Sequence, residues 1–260
     1  MIIRKGPEEI ERIARAGELA AAAISHVGEH VEPGITTAEL DGVADRFIAS
    51  HGGIPTSKDY KGFPAAICIS PNEVVVHGIP GTYEVNEGDV VTIDIGCTLD
   101  GAIADTAYTF GVGRIEPEVQ RLLDTAQEAL AAGIAQARSE NRIGDISHAI
   151  QTVVEEAGFS VVRQLVGHGV GRRYHEDPHV PNFGSPGRGP RLATGMTIAI
   201  EPMITLGSPA VTMHADGWTI ATIDGSYAAH FEHTVAITSD GPRILTPRVG
   251  IAKEHARLLQ

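Results

Sequence analysis

The chain contains 260 residues, of which 42% are hydrophobic and 20% are charged. This is the composition of a folded domain, and the length suits one domain with a large core. The net charge of −13 gives no electrostatic attraction for nucleic acid, which argues against a DNA partner. The two cysteines are too few for a disulfide framework or a cysteine zinc site, and no apolar run resembles a signal peptide or membrane span. We expect a soluble cytoplasmic protein with no membrane partner.

Four segments with helical periodicity follow one another in two pairs. The first covers residues 7–31, where Pro7 suits the first turn of a helix. The second begins after a cap at Thr36 or Thr37 and ends near Gly52. Two later helices are predicted over residues 117–137 and 144–157.

Short runs rich in β-branched residues, separated by turn residues, predict strands. They cover residues 66–70, 73–77, 90–97, 102–110, 159–163, 196–205, 209–214, 219–222 and 230–237. The chain therefore runs through helices, strands, helices and strands again, which predicts an α+β fold.

Two pairs of short segments indicate an internal repeat. Residues 75–79 resemble residues 166–170, and a glycine six residues before an acid occurs in both 88–94 and 195–201. Two matches in the same order predict pseudo-twofold symmetry within one domain. The alternative is that turn glycines and isoleucine-rich strands recur without any repeat. The two halves are residues 1–115 and 116–260.

Four predicted strands each carry an acid flanked by apolar residues, namely Asp94, Asp105, Glu201 and Glu232. Exposure at a strand edge explains any one of them taken alone. Four together need a common partner, because isolated buried carboxylates are costly and no basic residue lies in these segments. Their combined charge is too large for one cation and suits two divalent ions with bridging carboxylates.

Seven histidines are candidates for chemistry, and a structural role is the default for each. His168 stands out because Gly167 and Gly169 flank it and leave room for an ion, and His77 is its equivalent in the proposed repeat. The candidates are His77, His168, His175, His179, His214, His230 and His233.

Seven motifs, in order along nearly the whole chain, closely resemble those of type I methionine aminopeptidases. They are Val-Val-His77-Gly-Ile-Pro, Ile-Asp94-Ile-Gly, Ala-Asp105-Thr, Gly-His168-Gly-Val-Gly-Arg, Tyr-His175-Glu-Asp-Pro, Ile-Glu201-Pro-Met and Phe-Glu232-His-Thr. A His-Gly pair alone has little specificity, but seven ordered motifs are very specific. The resemblance implies the pita-bread fold, in which a central, curved, mostly antiparallel sheet carries helices on its outer face.

The resemblance also implies a dinuclear metal centre. Asp94 would belong to one ion, Asp105 and Glu232 would bridge, and His168 with Glu201 would complete the other. Manganese, iron, cobalt and zinc are all compatible with this ligand set. A hydroxide held between the ions would attack the carbonyl of the first residue, with Glu201 as the acid/base.

Further residues match the family's substrate-binding positions. His77 and His175 match non-ligand histidines that contact the peptide and stabilise developing charge, so they join Glu201 as catalytic residues. A methionine pocket is implied, and aromatic rings with a cysteine suit a flexible thioether, although core packing explains them almost as well. The pocket residues are Tyr60, Phe63, Cys68, Tyr174 and Trp218.

The implied substrate is the initiator methionine of nascent polypeptides with a small second residue. The implied enzyme is a monomer that associates transiently with ribosomes, yet so acidic a chain shows no basic docking surface. The chain departs from some relatives in having no zinc-binding or proline-rich N-terminal extension. Gly96 also replaces a hydroxyl residue that some relatives carry, which would alter the surroundings of Asp94.

Two other interpretations remain. A proline-specific aminopeptidase or dipeptidase shares the five ligands, but typically has a large additional N-terminal domain. The motifs Asp-Tyr60-Lys-Gly-Phe63-Pro and Cys68-Ile-Ser favour methionine. A catalytically inactive relative would keep the fold as a binding module, but such proteins usually lose ligands, and all five are present here.

Overall fold

The computed structural model describes residues 1–248, which form four α-helices and fifteen β-strands. The helices are α1 (Pro7–Gly28), α2 (Thr37–Ser50), α3 (Pro117–Ala135) and α4 (Ile143–Glu156). All four predicted helices are confirmed, with ends within three residues of the predicted positions. None of the helices in the described part of the chain combines the length and the apolarity needed to cross a membrane.

Local sequence explains where the helices begin. Pro7 and Pro117 occupy the first positions of α1 and α3, where no backbone donor is needed. A capping box starts α2: the Glu39 amide donates to the Thr36 hydroxyl over 3.2 Å, and the Thr36 amide donates to the Glu39 carboxylate over 2.8 Å.

The strands are short except for one long hairpin. They are β1 (Ile54–Pro55), β2 (Cys68–Pro71), β3 (Val74–Val76), β4 (Val90–Leu99), β5 (Ala102–Gly111), β6 (Ser160–Val161), β7 (Val166–Gly169), β8 (Glu176–Pro181), β9 (Thr197–Ile200), β10 (Met203–Thr205), β11 (Val211–Met213), β12 (Ile220–Thr222), β13 (Ala228–His230), β14 (His233–Thr238) and β15 (Gly241–Ile244).

These strands form four sheets within the described residues, and every pairing is antiparallel. One sheet has the order β1-β4-β2 with β5 on β4, a second has the order β15-β14-β9-β7-β8, and two three-stranded sheets have the orders β13-β10-β6 and β11-β12-β3. Helix α1 packs on β4 and β5, whereas α3 and α4 pack on each other and on strands β6, β8, β9, β10 and β13. The molecule is therefore α+β, as predicted.

The β4–β5 hairpin presents one face to the core and the other to a cavity. Ile93 and Ile95 are completely buried in the main hydrophobic core. Asp94, between them, lines the cavity instead. Asp105 lies opposite Gly96 in the antiparallel register. Asp94 and its two isoleucine neighbours therefore face opposite sides of the strand.

Two predicted strands are wrong because each is interrupted. The run 196–205 ends as β9 at Ile200 and resumes as β10 in another sheet, separated by Glu201 and Pro202. The run 230–237 is divided in the same way by Phe231 and Glu232. We call Glu201–Pro202 and Phe231–Glu232 the paired breaks, because the Phe231 amide donates to the Pro202 carbonyl over 3.4 Å.

The paired breaks have a physical cause that periodicity does not reveal. Pro202 has no N–H to donate to a ladder, so it ends the pairing of the strand that precedes it. The Glu232 amide pairs with a strand of another sheet: it donates to the Ala107 carbonyl of β5 over 3.0 Å. Four further strands were not predicted, β1, β7, β8 and β15, which are short or rich in glycine, proline and charge.

Candidate metal centre

One cavity of about 620 Å³ is lined by all the residues that the sequence analysis assigned as ligands, catalytic residues or pocket residues. Its walls come from hairpin β4–β5, the paired breaks, strand β7 and the loops around them. The predicted residues that line it are Tyr60, Phe63, Cys68, His77, Asp94, Asp105, His168, Tyr174, His175, Glu201, Trp218 and Glu232.

The five predicted ligands adjoin one another at the cavity wall. One ligand atom from each of Asp105, His168 and Glu232 lies within 4.8 Å of the others. His168 Nε2 is 3.5 Å from Glu201 Oε1 and 3.7 Å from Asp105 Oδ2. Burial and the nearby charge of Asp94 both raise the pKa of Asp105, so the two carboxyl groups lie close to each other. The residues are thus placed so that they are able to share cations.

Hydrogen bonds from neighbouring strands fix the backbone at the acids. The Thr234 hydroxyl accepts from the Asp105 amide over 2.9 Å and donates to the Asp105 carbonyl over 2.8 Å. The Thr106 hydroxyl donates to the Glu232 carbonyl over 2.8 Å. At the other break, Asn182 Nδ2 donates to the Glu201 carbonyl over 2.9 Å.

His168 is held in one tautomer. Its Nδ1 donates to the Gly169 carbonyl over 2.9 Å, which leaves the Nε2 lone pair facing the acids, as a metal ligand requires. The flanking glycines serve a different purpose from the predicted one. A Cβ at Gly167 would lie 2.4 Å from the Ala199 carbonyl oxygen, and one at Gly169 would lie 2.3 Å from the Asp177 carbonyl oxygen. They make room for adjacent backbone rather than for an ion.

Burial makes the unpartnered acids unfavourable as anions. It raises the pKa of Asp94 to about 7, and it raises the pKa of Asp105, Glu201 and Glu232 well above the usual value, with neighbouring carboxylates adding to the effect. Asp94 Oδ1, Glu201 Oε1 and Glu232 Oε1 are buried without a hydrogen-bond partner. Orphaned carboxylate oxygens beside an imidazole fit divalent cations, which supply the missing positive charge.

Basic side chains do not neutralise this cluster. Among residues 1–248, no lysine or arginine forms an ion pair with any of the four acids. Burial raises the pKa of Glu232, and the charge of Arg248 lowers it by less than burial and the neighbouring carboxylates raise it. The negative charge of the four acids is therefore not neutralised by these side chains, and bound cations would neutralise it.

The two predicted accessory histidines contact different rings of the cavity wall. His77 follows β3 with a φ of 58°, an unusual left-handed conformation for a non-glycine residue, and its ring centre is 6.3 Å from that of Trp218. The His175 ring centre is 4.1 Å from that of His168 and 5.4 Å from that of Tyr60. Burial lowers the pKa of His77, and burial followed by the charge of His168 lowers the pKa of His175 to about 3.

Aromatic rings form the apolar part of the cavity. Phe63 meets Trp218 edge to face with ring centres 5.2 Å apart, and Tyr60 meets Tyr174 in the same way at 5.1 Å. Cys68 is buried in the same small cluster as Phe63, and its thiol is free. These side chains pack together and also line the cavity, so packing and a pocket wall are compatible roles.

The cavity is also lined by His230, which the sequence analysis named as a candidate without a role, and by Ser57 and Met1, which it did not name. His230 is 2% exposed, and its Nε2 lies 3.8 Å from Glu201 Oε2. The Ser57 hydroxyl lies 3.0 Å from that of Tyr174. The Met1 α-amino group pairs with Asp177 at the rim. His230 had a detectable signal, because it precedes Glu232 by two residues, whereas Ser57 lies in a loop without any pattern.

The model of metallopeptidase family M24 matches residues 11–239. The fold and the site thus define the class of protein: the chain belongs to metallopeptidase family M24, and membership implies a divalent metal cofactor.

Individual relatives narrow the class. A methionine aminopeptidase of Clostridium perfringens is 52% identical over 246 residues, covering 95% of this chain and 99% of that protein. The crystal structure of methionine aminopeptidase from Rickettsia prowazekii superposes with a TM-score of 0.94 at 40% identity, covering 95% of this chain and 100% of that one. The predicted resemblance to methionine aminopeptidases and the predicted pita-bread α+β fold are both confirmed.

A second group of structures shares the fold alone. Prolidase from Pyrococcus furiosus superposes with a TM-score of 0.79 at 23% identity, and the match covers 95% of this chain but 66% of the prolidase. This likeness confirms that the same fold also occurs in a larger peptidase.

Proposed function

We propose that this protein is a methionine aminopeptidase that removes the initiator methionine from nascent polypeptides. One observation carries the proposal: the acid-rich cluster, both accessory histidines and the aromatic residues line a single cavity. Relatives of the same name match over almost their whole length. The catalytic unit is one domain of residues 1–260 with two pseudo-equivalent halves, although residues 249–260 lie outside the described part.

Within this proposal, five residues hold two divalent cations. Bound cations lower the pKa of a water molecule and polarise the scissile carbonyl group. The orphaned oxygens of Asp94, Glu201 and Glu232 and the oriented Nε2 of His168 support the assignment. Oxygen ligands with one imidazole accept manganese, iron, cobalt or zinc. The ligands are Asp94, Asp105, His168, Glu201 and Glu232.

Glu201 is the proposed acid/base. Its carboxylate lies between two imidazoles, 3.5 Å from His168 and 3.8 Å from His230. Burial raises its pKa well above the usual value, which favours acceptance of a proton by this carboxylate. It takes a proton from the attacking water and passes it to the nitrogen of the second residue, which leaves as a free amine.

His175 and His77 are proposed to bind the peptide and to stabilise the developing oxyanion. Burial lowers the pKa of both imidazoles, so each is neutral near pH 7 and carries one N–H donor. Donors fixed in advance around a site that excludes water stabilise a developing charge strongly. The contact of His175 with the rings of Tyr60 and His168 fixes its orientation.

The aromatic end of the cavity is the proposed methionine pocket. Edge-to-face pairs provide polarizable walls for a thioether, and sulfur–aromatic contacts are favourable by about 0.3–1.5 kcal/mol. The partners are nascent-chain N-termini with a small second residue, met by a cytoplasmic monomer in transient contact with ribosomes. The walls are Tyr60, Phe63, Cys68, Tyr174 and Trp218.

A paired assay tests this proposal against its rivals. Protein stripped of metal and titrated with a divalent cation is offered a Met-Ala-Ser peptide and a peptide of the form X-Pro. We expect metal-dependent release of methionine from the first peptide alone. Cleavage of the X-Pro peptide would instead indicate a proline-specific enzyme, and cation binding without any hydrolysis would indicate an inactive relative.

A further inference from the structure

Tyr174 occupies the space that a side chain at position 96 would need. Gly96 lies on β4, two residues after Asp94 and directly opposite Asp105 on β5. A Cβ built on Gly96 would lie 2.5 Å from both Cζ and the hydroxyl oxygen of Tyr174. No real Cβ approaches ring atoms so closely, so the present position of the Tyr174 ring depends on a glycine at this point.

The ring position brings the Tyr174 hydroxyl to Asp105. This hydroxyl donates to Asp105 Oδ1 over 3.5 Å, at the long end of the hydrogen-bond range, and it lies 3.0 Å from the Ser57 hydroxyl. When Asp105 is ionised as a metal ligand it only accepts, so in that state the single Tyr174 proton is directed to Asp105 and Ser57 donates to Tyr174. Consecutive hydroxyl bonds of this kind polarise and strengthen one another.

The two oxygens of Asp105 consequently have different partners. Oδ1 faces the Tyr174 hydroxyl, whereas Oδ2 faces His168 Nε2 at 3.7 Å. The Asp105 backbone is already fixed by Thr234. A hydrogen bond to one carboxylate oxygen therefore restricts rotation of the side chain and of the carboxylate plane.

We propose that Tyr174 is a positioning residue for the metal centre, whose hydroxyl orients the Asp105 carboxylate, and that Gly96 is the residue that admits it. This inference rests on the proposed ligand role of Asp105. It gives Tyr174 two separable functions, because the ring lines the pocket while the hydroxyl orients a ligand. Partners of metal ligands typically contribute 10–100-fold to metal affinity or activity.

Cobalt binding separates the two functions. Metal-free wild type and Tyr174→Phe are titrated with Co²⁺ by calorimetry, and the visible absorption bands of the bound ion are recorded. We expect Tyr174→Phe to weaken Co²⁺ binding about tenfold and to shift the bands, while KM for Met-Ala-Ser changes less than about twofold because the ring remains. Tyr83→Phe is the matched control, since the Tyr83 hydroxyl donates to Asp89 outside the cavity; its Co²⁺ affinity should equal that of wild type.

A double-mutant cycle tests the role of Gly96. If Gly96→Ala acts by displacing the Tyr174 hydroxyl, it weakens Co²⁺ binding in wild type but adds little in a Tyr174→Phe background. Additive losses would overturn the role assigned to Gly96, and unchanged Co²⁺ affinity and bands in Tyr174→Phe would overturn the proposal itself. Absence of Co²⁺ binding by wild type would overturn it as well. Absence of methionine release would count against the proposed function alone, because the Co²⁺ measurements do not depend on turnover.

Discussion

Two pairs of acids reach the same cavity from very different backbone settings. Asp94 and Asp105 lie within ten-residue strands that pair without interruption. Glu201 and Glu232 lie at the paired breaks, where β9 gives way to β10 and β13 to β14. A continuous hairpin thus supplies one pair of carboxylates, and two points of sheet exchange supply the other.

This difference shows that a regular strand is not needed to place a metal-binding acid. In the hairpin, strand alternation directs Asp94 away from the core side chains. At the breaks, hydrogen bonds from outside the strand hold the backbone instead, including those from Thr106 and Asn182. If the acids of both settings bind the same cations, removing an acid from either setting should lower activity equally.

The largest effect is expected from removing one proposed bridging acid of each setting. Asp105→Asn and Glu232→Gln both keep side-chain shape but remove a negative ligand. We expect each to lower kcat/KM by roughly a thousandfold or more at saturating metal. Release of methionine from Met-Ala-Ser is the assay, and circular dichroism confirms folding. If Glu232→Gln kept wild-type activity while Asp105→Asn lost it, Glu232 would have only a structural role and the hairpin acids alone would bind metal.

A second, smaller effect concerns a residue in neither setting. His77→Ala removes a proposed substrate contact and no ligand, so we expect turnover to fall about a hundredfold. Metal content per protein, measured by plasma mass spectrometry, should be unchanged. His214 is exposed and provides the control, since His214→Ala should alter neither quantity. Loss of bound metal in His77→Ala would place this residue among the ligands.

Thr234 connects the two settings, because it follows the second break and bonds Asp105 of the hairpin. Thr234→Val leaves the Asp105 amide and carbonyl without their partner, so we expect a loss of about 2 kcal/mol in the free energy of unfolding. Urea denaturation measures this loss. Thr238→Val, on the same strand but bonded to the Gly241 carbonyl near the surface, should cost less. Equal losses of unfolding free energy in the two variants would show that the bonds between Thr234 and Asp105 stabilise the fold no more than the surface bond of Thr238.

The smallest expected effect is a dependence on pH. Burial raises the pKa of Asp94 to about 7 in the protein without cations, so a proton must leave before a cation binds below that pH. The folded pKa exceeds the unfolded one, so stability from the protonated group is lost as pH rises through about 7. Cation stabilisation should therefore grow with pH, by up to about 1.4 kcal/mol per pH unit for each displaced proton.

Calorimetric Tm values with and without Mn²⁺, between about pH 5.5 and about pH 8, test this linkage. The difference between the two Tm values should widen as the pH rises. A constant difference would show that cation binding displaces no proton from Asp94 or its neighbours.

Local sequence signals determined how much of the fold was predictable. The four helices follow from amphipathic spacing, from prolines at first positions and from the Thr36 cap, all of which act over a few residues. The breaks in β9–β10 and β13–β14 were missed because a β-branched run looks alike whether or not the chain changes sheets. Pro202 was a usable signal, since proline does not donate to a ladder.

The site residues were predictable only where a local sequence signal existed, as with the secondary structure. Acids and histidines in ordered motifs were predictable because each type of ligand has a recognisable local context. The Tyr174 hydroxyl, its Ser57 partner and the space left by Gly96 were not, because they depend on three distant segments meeting in the folded chain. His230 lies beside Glu201 for the same reason, through the pairing of β13 with β10.

Trp218 gives the molecule a built-in optical reporter. It is the single tryptophan of the sequence, and the loop that carries it is secured by backbone hydrogen bonds to Asp216. Its indole meets Phe63 at one side and His77 at another, at the wall of the cavity. Any occupant that drives water from this wall should shift the emission of one known fluorophore, so occupancy is observable in unlabelled protein even where no turnover takes place.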